Sequence, residues 1–87
     1  MILIVDLLNM ESLKRKYSFS NFEEAVAFIQ NVAPIFSREN HHPKITNFYN
    51  TIEFVYFTAT ANNTVTELDH KIANEVETIY QTQTRQS

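Results

Sequence analysis

Residues 40–58 have the sequence NHHPKITNFYNTIEFVYFT, which contains the strongest strand signals of the chain. Two segments, 45–49 and 52–58, are rich in the β-branched and aromatic side chains that are enriched in strands. Asn50 and Thr51 separate these segments, so the pattern predicts a β-hairpin. The chain has no glycine, and asparagine is the residue that next best tolerates a positive φ. Asn50 is therefore the expected turn former.

A helix is predicted upstream of this hairpin. Ser20 and Glu23 form a Ser-x-x-Glu capping box, in which the serine oxygen accepts a hydrogen bond from the first helical turn. The helix is expected to end near Asn40, because Pro43 forces His42 out of the helical backbone conformation. The stripe predicted to face the core consists of Phe22, Ala25, Val26, Ile29, Val32, Ala33 and Phe36.

Two further elements complete the predicted order. Residues 13–19 place apolar and polar side chains alternately, which indicates a half-buried strand. Thr66 and Asp69 resemble a second helix cap, and the stripe that follows consists of Leu68, Ile72, Ala73, Val76, Ile79 and Tyr80. The polar tail, residues 81–87, is expected to fray. The prediction is an α+β fold in a single domain spanning residues 1–87.

Composition excludes several classes of function. The chain of 87 residues has a net charge of −3, and its basic cluster at residues 14–16 is too short to follow a phosphate backbone, so nucleic-acid binding is not predicted. The absence of cysteine excludes thiolate chemistry and fits a reducing cytoplasm, which is the expected location. The apolar run at residues 1–5 is far shorter than the ~20 residues that cross a bilayer, so no membrane partner is expected.

His41 and His42 are the candidate acid/base residues. Histidine has an unperturbed pKa of ~6.5 and can therefore exchange protons near neutral pH. Taken alone, an adjacent pair in a loop also fits an ordinary surface or capping role. Neighbouring residues of an extended chain point to opposite sides, so a metal ion shared by this pair is not predicted. His70, on the second predicted helix, is assigned to the solvent-exposed face.

The order of these motifs resembles the pterin-4a-carbinolamine dehydratase family over residues 13–80. The most specific part is the His-His-Pro tripeptide at residues 41–43, followed by an aromatic residue at Tyr49 and by an aspartate at Asp69, which begins the last helix. The resemblance implies an antiparallel β-sheet with helices packed on one face, together with a shortened amino-terminal helix.

Members of that family dehydrate 4a-hydroxytetrahydropterin to the quinonoid dihydropterin without a metal or an organic cofactor. The resemblance implies this hydro-lyase reaction, a step of tetrahydrobiopterin recycling, with His41 and His42 as the catalytic acid/base residues and His42 in the more direct role. It also implies that the pterin substrate is bound by Pro43, Thr58, Ala59 and Asp69. Two assignments stay open. Tyr49 is expected to pack in the core rather than touch substrate, and Asp69 either touches substrate or serves only to stabilise the N-terminus of the last helix.

One departure from the family pattern supports an alternative function. The pattern has a third histidine just after the strand threonine, where this chain has Ala59. Relatives serve as a dimerisation cofactor of a transcription factor and as Rubisco assembly factors. The alternative is therefore a catalytically impaired family member that acts as a protein-binding or assembly module. The resemblance, together with Val55 and Phe57 on the uncovered side of the sheet, predicts a homodimer or homotetramer.

Overall fold

The computed structural model describes residues 12–58 and 64–85 of the chain. Its elements in chain order are β1 (Leu13–Ser18), α1 (Phe22–Glu39), β2 (Lys44–Phe48), β3 (Thr51–Tyr56) and α2 (Glu67–Arg85). The strands form an antiparallel sheet in the order β1-β3-β2, so β3 is central. The predicted α+β class and the predicted order of the elements are confirmed.

The helices pack on one face of the sheet because alternate residues of β3 are apolar and point toward them. Ile52, Phe54 and Tyr56 are fully buried at this face. The other members of the core are Tyr17, Phe19, Ala25, Phe28, Val32, Ile35, Phe36, Ile72, Ala73 and Val76. On the opposite face, exposed Lys14 and Lys44 lie on either side of the half-buried Val55. The sheet therefore has one buried face and one polar, more open face.

Helix α1 begins one residue later than its sequence predicts. Its N-cap is Asn21, whose side-chain Oδ1 accepts a hydrogen bond from the backbone N–H of Glu24 at 2.8 Å. The predicted cap at Ser20 is wrong, because the chain stays extended through Asn21 before it turns into the helix. The predicted end of the helix is confirmed: Asn40 is the C-cap and has the left-handed conformation, with φ of 50°.

The buried stripe of α1 is rotated relative to the predicted one. Phe28 and Ile35 are buried although the prediction omits them, whereas Phe22 and Ala33 are exposed although it includes them. The ring of Phe28 lies 5.2 Å from that of Tyr17 and contacts further aromatic rings of the core. The position of the sheet beneath the helix therefore decides which of several apolar residues are buried.

The hairpin between β2 and β3 turns at Tyr49 and Asn50. The positive φ of this turn, 52°, belongs to Tyr49 rather than to Asn50, so the expected turn former is off by one residue. Tyr49 is also 62% exposed, which shows that the prediction of a core position for it is wrong. Asn50 instead ties the hairpin to the chain before α1: its side-chain amide donates to the Phe19 carbonyl at 2.8 Å, and its own carbonyl accepts from the Phe19 N–H.

Helix α2 continues to Arg85, through most of the tail that the sequence predicts to fray. The Gln83 side chain donates to the backbone carbonyl of Glu24 at 3.0 Å and accepts from the Asn31 amide at 3.1 Å. These hydrogen bonds to α1 stabilise a segment whose own sequence is polar. The predicted stripe is confirmed at Ile72, Ala73 and Val76, which are buried.

Candidate active site

His41 and Asp69 lie in direct contact although they are 28 positions apart in the sequence. The His41 Nε2 atom is 2.6 Å from the Asp69 Oδ1 atom. The His41 side chain is 13% exposed, while that of Asp69 has no exposed area. An ionised carboxylate can only accept hydrogen bonds, so Nε2 carries the proton and donates it to Asp69. The other ring nitrogen of His41, Nδ1, takes no part in this contact.

Asp69 is held by two close donors in addition to the histidine ring. Its Oδ2 atom accepts from the Thr58 hydroxyl at 2.7 Å and from the Thr66 backbone N–H at 2.9 Å, and the Thr66 hydroxyl lies 3.4 Å from the same oxygen. Burial raises the pKa of Asp69, but hydrogen bonds from His41, the Thr66 backbone and Thr58 outweigh it and hold the pKa below its ordinary value. Asp69 is therefore a buried anion near neutral pH.

The two helices bring these groups together at their facing ends. Asn40 leaves α1 in the left-handed conformation, and the backbone N–H of His41 then donates to the Phe36 carbonyl at 3.0 Å. This C-terminal cap directs His41 toward α2. Asp69 lies in the first turn of α2, where the partial positive charge of the helix end stabilises its carboxylate. Pro43 is buried directly after the histidine pair.

An ion-pair network lies next to the His41–Asp69 pair. The Arg38 guanidinium, in the last turn of α1, contacts both carboxylate oxygens of Glu75, at 2.9 and 2.8 Å. It also contacts Glu39, whose carboxylate accepts from the Lys71 ammonium at 3.2 Å. These residues link the end of α1 to α2 close to the site. Because the Arg38 and Glu75 side chains remain 54% and 34% exposed, their ion pair contributes little stability.

Not all of the other predicted site residues contact the His41–Asp69 pair. His42 is exposed, as is His70, which agrees with the surface position predicted for His70. Ala59 lies outside the described residues. The Thr58 backbone N–H donates to the Thr64 carbonyl at 2.8 Å, so it is already paired. Thr58 contacts the site through its hydroxyl, whereas the sequence prediction uses its main chain.

Thr66 is the site residue that the sequence-based assignment lacks. The Thr-x-x-Asp spacing does predict the helix cap, and the hydrogen bond from the Thr66 N–H to Asp69 confirms it. The cap alone does not indicate that the same carboxylate also reaches a histidine from another helix. Among residues 12–58 and 64–85, no group of three or more histidine, cysteine, aspartate or glutamate side chains is arranged to hold a metal ion.

No helix within the described ranges combines the length and the apolar character that crossing a membrane requires.

Sequence comparison finds similarity to pterin dehydratases. The model of the family described as pterin 4 alpha carbinolamine dehydratase matches residues 5–79. A provisionally named pterin-4-alpha-carbinolamine dehydratase of Chelativorans sp. is 38% identical over 65 residues, 75% of this chain and 65% of that protein. A provisionally named counterpart from Prochlorococcus marinus is 36% identical over 80% of this chain and 72% of its own length. The chain thus spans about two thirds of the length of these relatives.

Structure comparison finds the same fold in two solved proteins. A Brucella melitensis protein described as a transcriptional coactivator/pterin dehydratase has a TM-score of 0.75 and 32% identity, over 82% of this chain and 74% of that one. A pterin dehydratase-like protein identified as a RuBisCO assembly factor in the alpha-carboxysome has a TM-score of 0.67 and 18% identity, over 79% of each chain. At that identity the second likeness shows the shared fold alone.

Proposed function

Since this chain belongs to the pterin 4 alpha carbinolamine dehydratase family, we propose that it dehydrates 4a-hydroxytetrahydropterin to the quinonoid dihydropterin. The observation that carries this proposal is the 2.6 Å contact between the His41 ring and the buried Asp69 carboxylate. The reaction is then a step of tetrahydrobiopterin recycling in the cytoplasm.

The proposed reaction needs two proton transfers. The N5 proton of the pterin is removed, the bond from C4a to the hydroxyl oxygen breaks, and the departing hydroxyl takes up a proton and leaves as water. Neutral His41 accepts the N5 proton on Nδ1, because Asp69 keeps the proton of Nε2 in place. The imidazolium that forms is stabilised by the adjacent carboxylate. In this proposal His41 takes up the N5 proton. His42 donates the proton that the leaving hydroxyl takes up.

The substrate contacts are also proposals. The pterin lies against buried Pro43 and the end of β3, with the exposed His42 ring on its open side. The Thr58 N–H is paired with Thr64, so the expected main-chain contact to the ring falls on Ala59, which lies outside the described residues. Asp69 is fully buried and engaged by several donors, so in this proposal it acts on the pterin through His41.

The test compares the rates at which purified variants accelerate 4a-hydroxytetrahydropterin dehydration. His41→Ala and His42→Ala are each expected to lower kcat/KM by about 10²–10⁴, the usual contribution of a general acid or base. His70→Ala removes an exposed histidine of the same chain and is the matched control, with wild-type activity expected. Ala59→His adds the imidazole of the family pattern and is expected to raise activity. Wild-type activity in either His41→Ala or His42→Ala would overturn the role assigned to that histidine.

A protein-binding or assembly module is the second candidate. It is favoured by Ala59 at the third-histidine position and by large exposed apolar side chains along the β2 hairpin, namely Ile45, Phe48 and Tyr49. In this case wild type shows no acceleration, Ala59→His restores it, and Phe48→Ser lowers the recovery of a partner in a pull-down. Dehydratase turnover by wild type with no partner recovered would contradict the module.

We further propose that the chain forms homodimers or homotetramers. The exposed Ile45, Phe48 and Tyr49 side chains of the hairpin supply apolar surface that a small domain gains stability by covering. Sedimentation at micromolar concentration tests the proposal, and a monomer mass there would contradict it.

A further inference from the structure

We propose that Thr58 and Thr66 are positioning residues that fix the Asp69 carboxylate and, through it, the ring of His41. The kinetic test of this inference rests on the proposed function, whereas its test by NMR does not. Neither threonine contacts the histidine in this arrangement; each acts on the carboxylate oxygen that the histidine leaves free. Thr58 follows β3, and Thr66 directly precedes α2, so the carboxylate is held from two different elements.

The hydroxyl protons can be assigned from the distances. Thr58 Oγ1 lies 2.7 Å from Asp69 Oδ2 and 2.9 Å from Thr66 Oγ1. A hydroxyl has a single proton, and the buried carboxylate can only accept, so the Thr58 proton points to Oδ2. The Thr66 proton must then fill the contact between the two hydroxyls, which agrees with its longer distance of 3.4 Å from Oδ2. The result is a chain of donors from Thr66 through Thr58 to Asp69.

In this series of hydrogen bonds, the two carboxylate oxygens of Asp69 accept from different donors. Oδ2 accepts the Thr58 hydroxyl and the Thr66 backbone N–H, while Oδ1 accepts the His41 ring. Rotation of the carboxylate would break all of these bonds together, so the direction in which Oδ1 points is fixed. The bond donated by Thr66 also polarises the Thr58 hydroxyl and makes it a better donor.

The Thr58 hydroxyl can be removed without moving the backbone. The Thr58 N–H is bonded to the Thr64 carbonyl at 2.8 Å, which places the residue independently of its side chain. Valine has nearly the shape of threonine, so Thr58→Val deletes the donor while the volume is kept. Serine keeps the hydroxyl, so Thr58→Ser is the conservative variant. Thr46→Val makes the same change at an exposed position of the edge strand β2 and is the matched control.

The experiment combines kinetics with NMR of the histidine ring. In wild type, ¹⁵N spectra of His41 should show Nε2 protonated and protected from exchange, with Nδ1 unprotonated. In Thr58→Val the Nε2 proton should exchange faster, and kcat should fall roughly tenfold with KM little changed, the loss expected for one hydrogen bond to a charged group. Thr58→Ser should restore all of these values.

The outcome separates the two proposals. If wild type has no dehydratase activity, the NMR comparison still tests the positioning role, because it needs no substrate. Thr58→Val spectra identical to those of Thr46→Val, with the Nε2 proton equally protected, would overturn the inference. Faster exchange in Thr58→Val that Thr58→Ser does not reverse would also overturn it, since the change would then come from altered packing.

Discussion

Replacing Asp69 with asparagine should destabilise the protein at neutral pH and much less in acid. Asp69 is fully buried and accepts hydrogen bonds from His41, Thr58 and the Thr66 backbone at 2.6, 2.7 and 2.9 Å. Asparagine keeps one acceptor oxygen but turns an N–H₂ group toward a donor, so at least one charge-assisted bond is lost. Such a bond contributes about 1.5–3 kcal/mol, and a carboxylate at a helix N-terminus about 0.3–1 kcal/mol. The expected loss of unfolding free energy at pH 7 is therefore about 2–4 kcal/mol.

The pH dependence follows from the lowered pKa of Asp69. Burial raises that pKa, but the hydrogen bonds outweigh burial, so the folded protein holds the carboxylate ionised at lower pH than the unfolded chain does. The stabilisation is then fully present above the unfolded pKa of about 3.9 and is lost as the pH falls further toward the folded pKa. The difference between wild type and Asp69→Asn should accordingly shrink as the pH falls below about 4.

Urea unfolding followed by far-UV circular dichroism measures this difference, since the chain has no tryptophan to report by fluorescence. Glu67→Gln is the matched control because Glu67 is an exposed acid in the same helical turn. It should change the unfolding free energy by less than about 1 kcal/mol, the limit for an exposed charge at a helix end. A loss in Asp69→Asn no larger than in this control, or one that stays constant down to pH 2, would refute the reasoning.

Three further predictions concern the cap, the ion pairs and a buried hydroxyl. Asn21→Ala should lower the unfolding free energy by about 1 kcal/mol while Ser20→Ala leaves it unchanged, because the first residue is the N-cap; urea titration decides between them. Arg38→Met should lower stability at low salt and show no loss in about 1 M NaCl, where exposed pairs are screened; a double-mutant cycle with Glu75→Gln should find the coupling only at low salt. Tyr56→Phe should leave stability at pH 7 unchanged or raise it, because the buried Tyr56 hydroxyl has no partner within the described ranges. Burial also raises its pKa, so wild type should lose stability above about pH 10, and Tyr56→Phe should lose less in alkaline thermal melts.

Local patterns were sufficient for the elements of the fold but not for their details. The hairpin and both helices follow from β-branched runs and helical spacing, although the positive φ of the hairpin turn falls on Tyr49 rather than on the expected Asn50. The cap could not be placed, because Ser20 and Asn21 are both good N-cap residues and only the entry direction of the chain chooses between them. That direction is set by the hydrogen bonds between Phe19 and Asn50, which are 31 positions apart. The buried face of α1 likewise depends on where the sheet lies.

The candidate site, like the fold, could be predicted from the sequence only in part. His41 and Asp69 could be nominated from the family resemblance, but their contact depends on the left-handed C-cap at Asn40, which turns the chain toward α2. The role of the Thr58 hydroxyl could not be predicted, because strand threonines more often face solvent or pack their methyl groups. Only the packing of the end of β3 against α2 brings that hydroxyl to the carboxylate.

The most direct measurement is the rate of 4a-hydroxytetrahydropterin dehydration at neutral pH with wild type and with His41→Ala. If His41 exchanges the N5 proton while Asp69 orients it, wild type accelerates the reaction in proportion to enzyme concentration and His41→Ala loses at least about 10²-fold in kcat/KM. Equal acceleration by the two proteins, or none by wild type, would contradict the account.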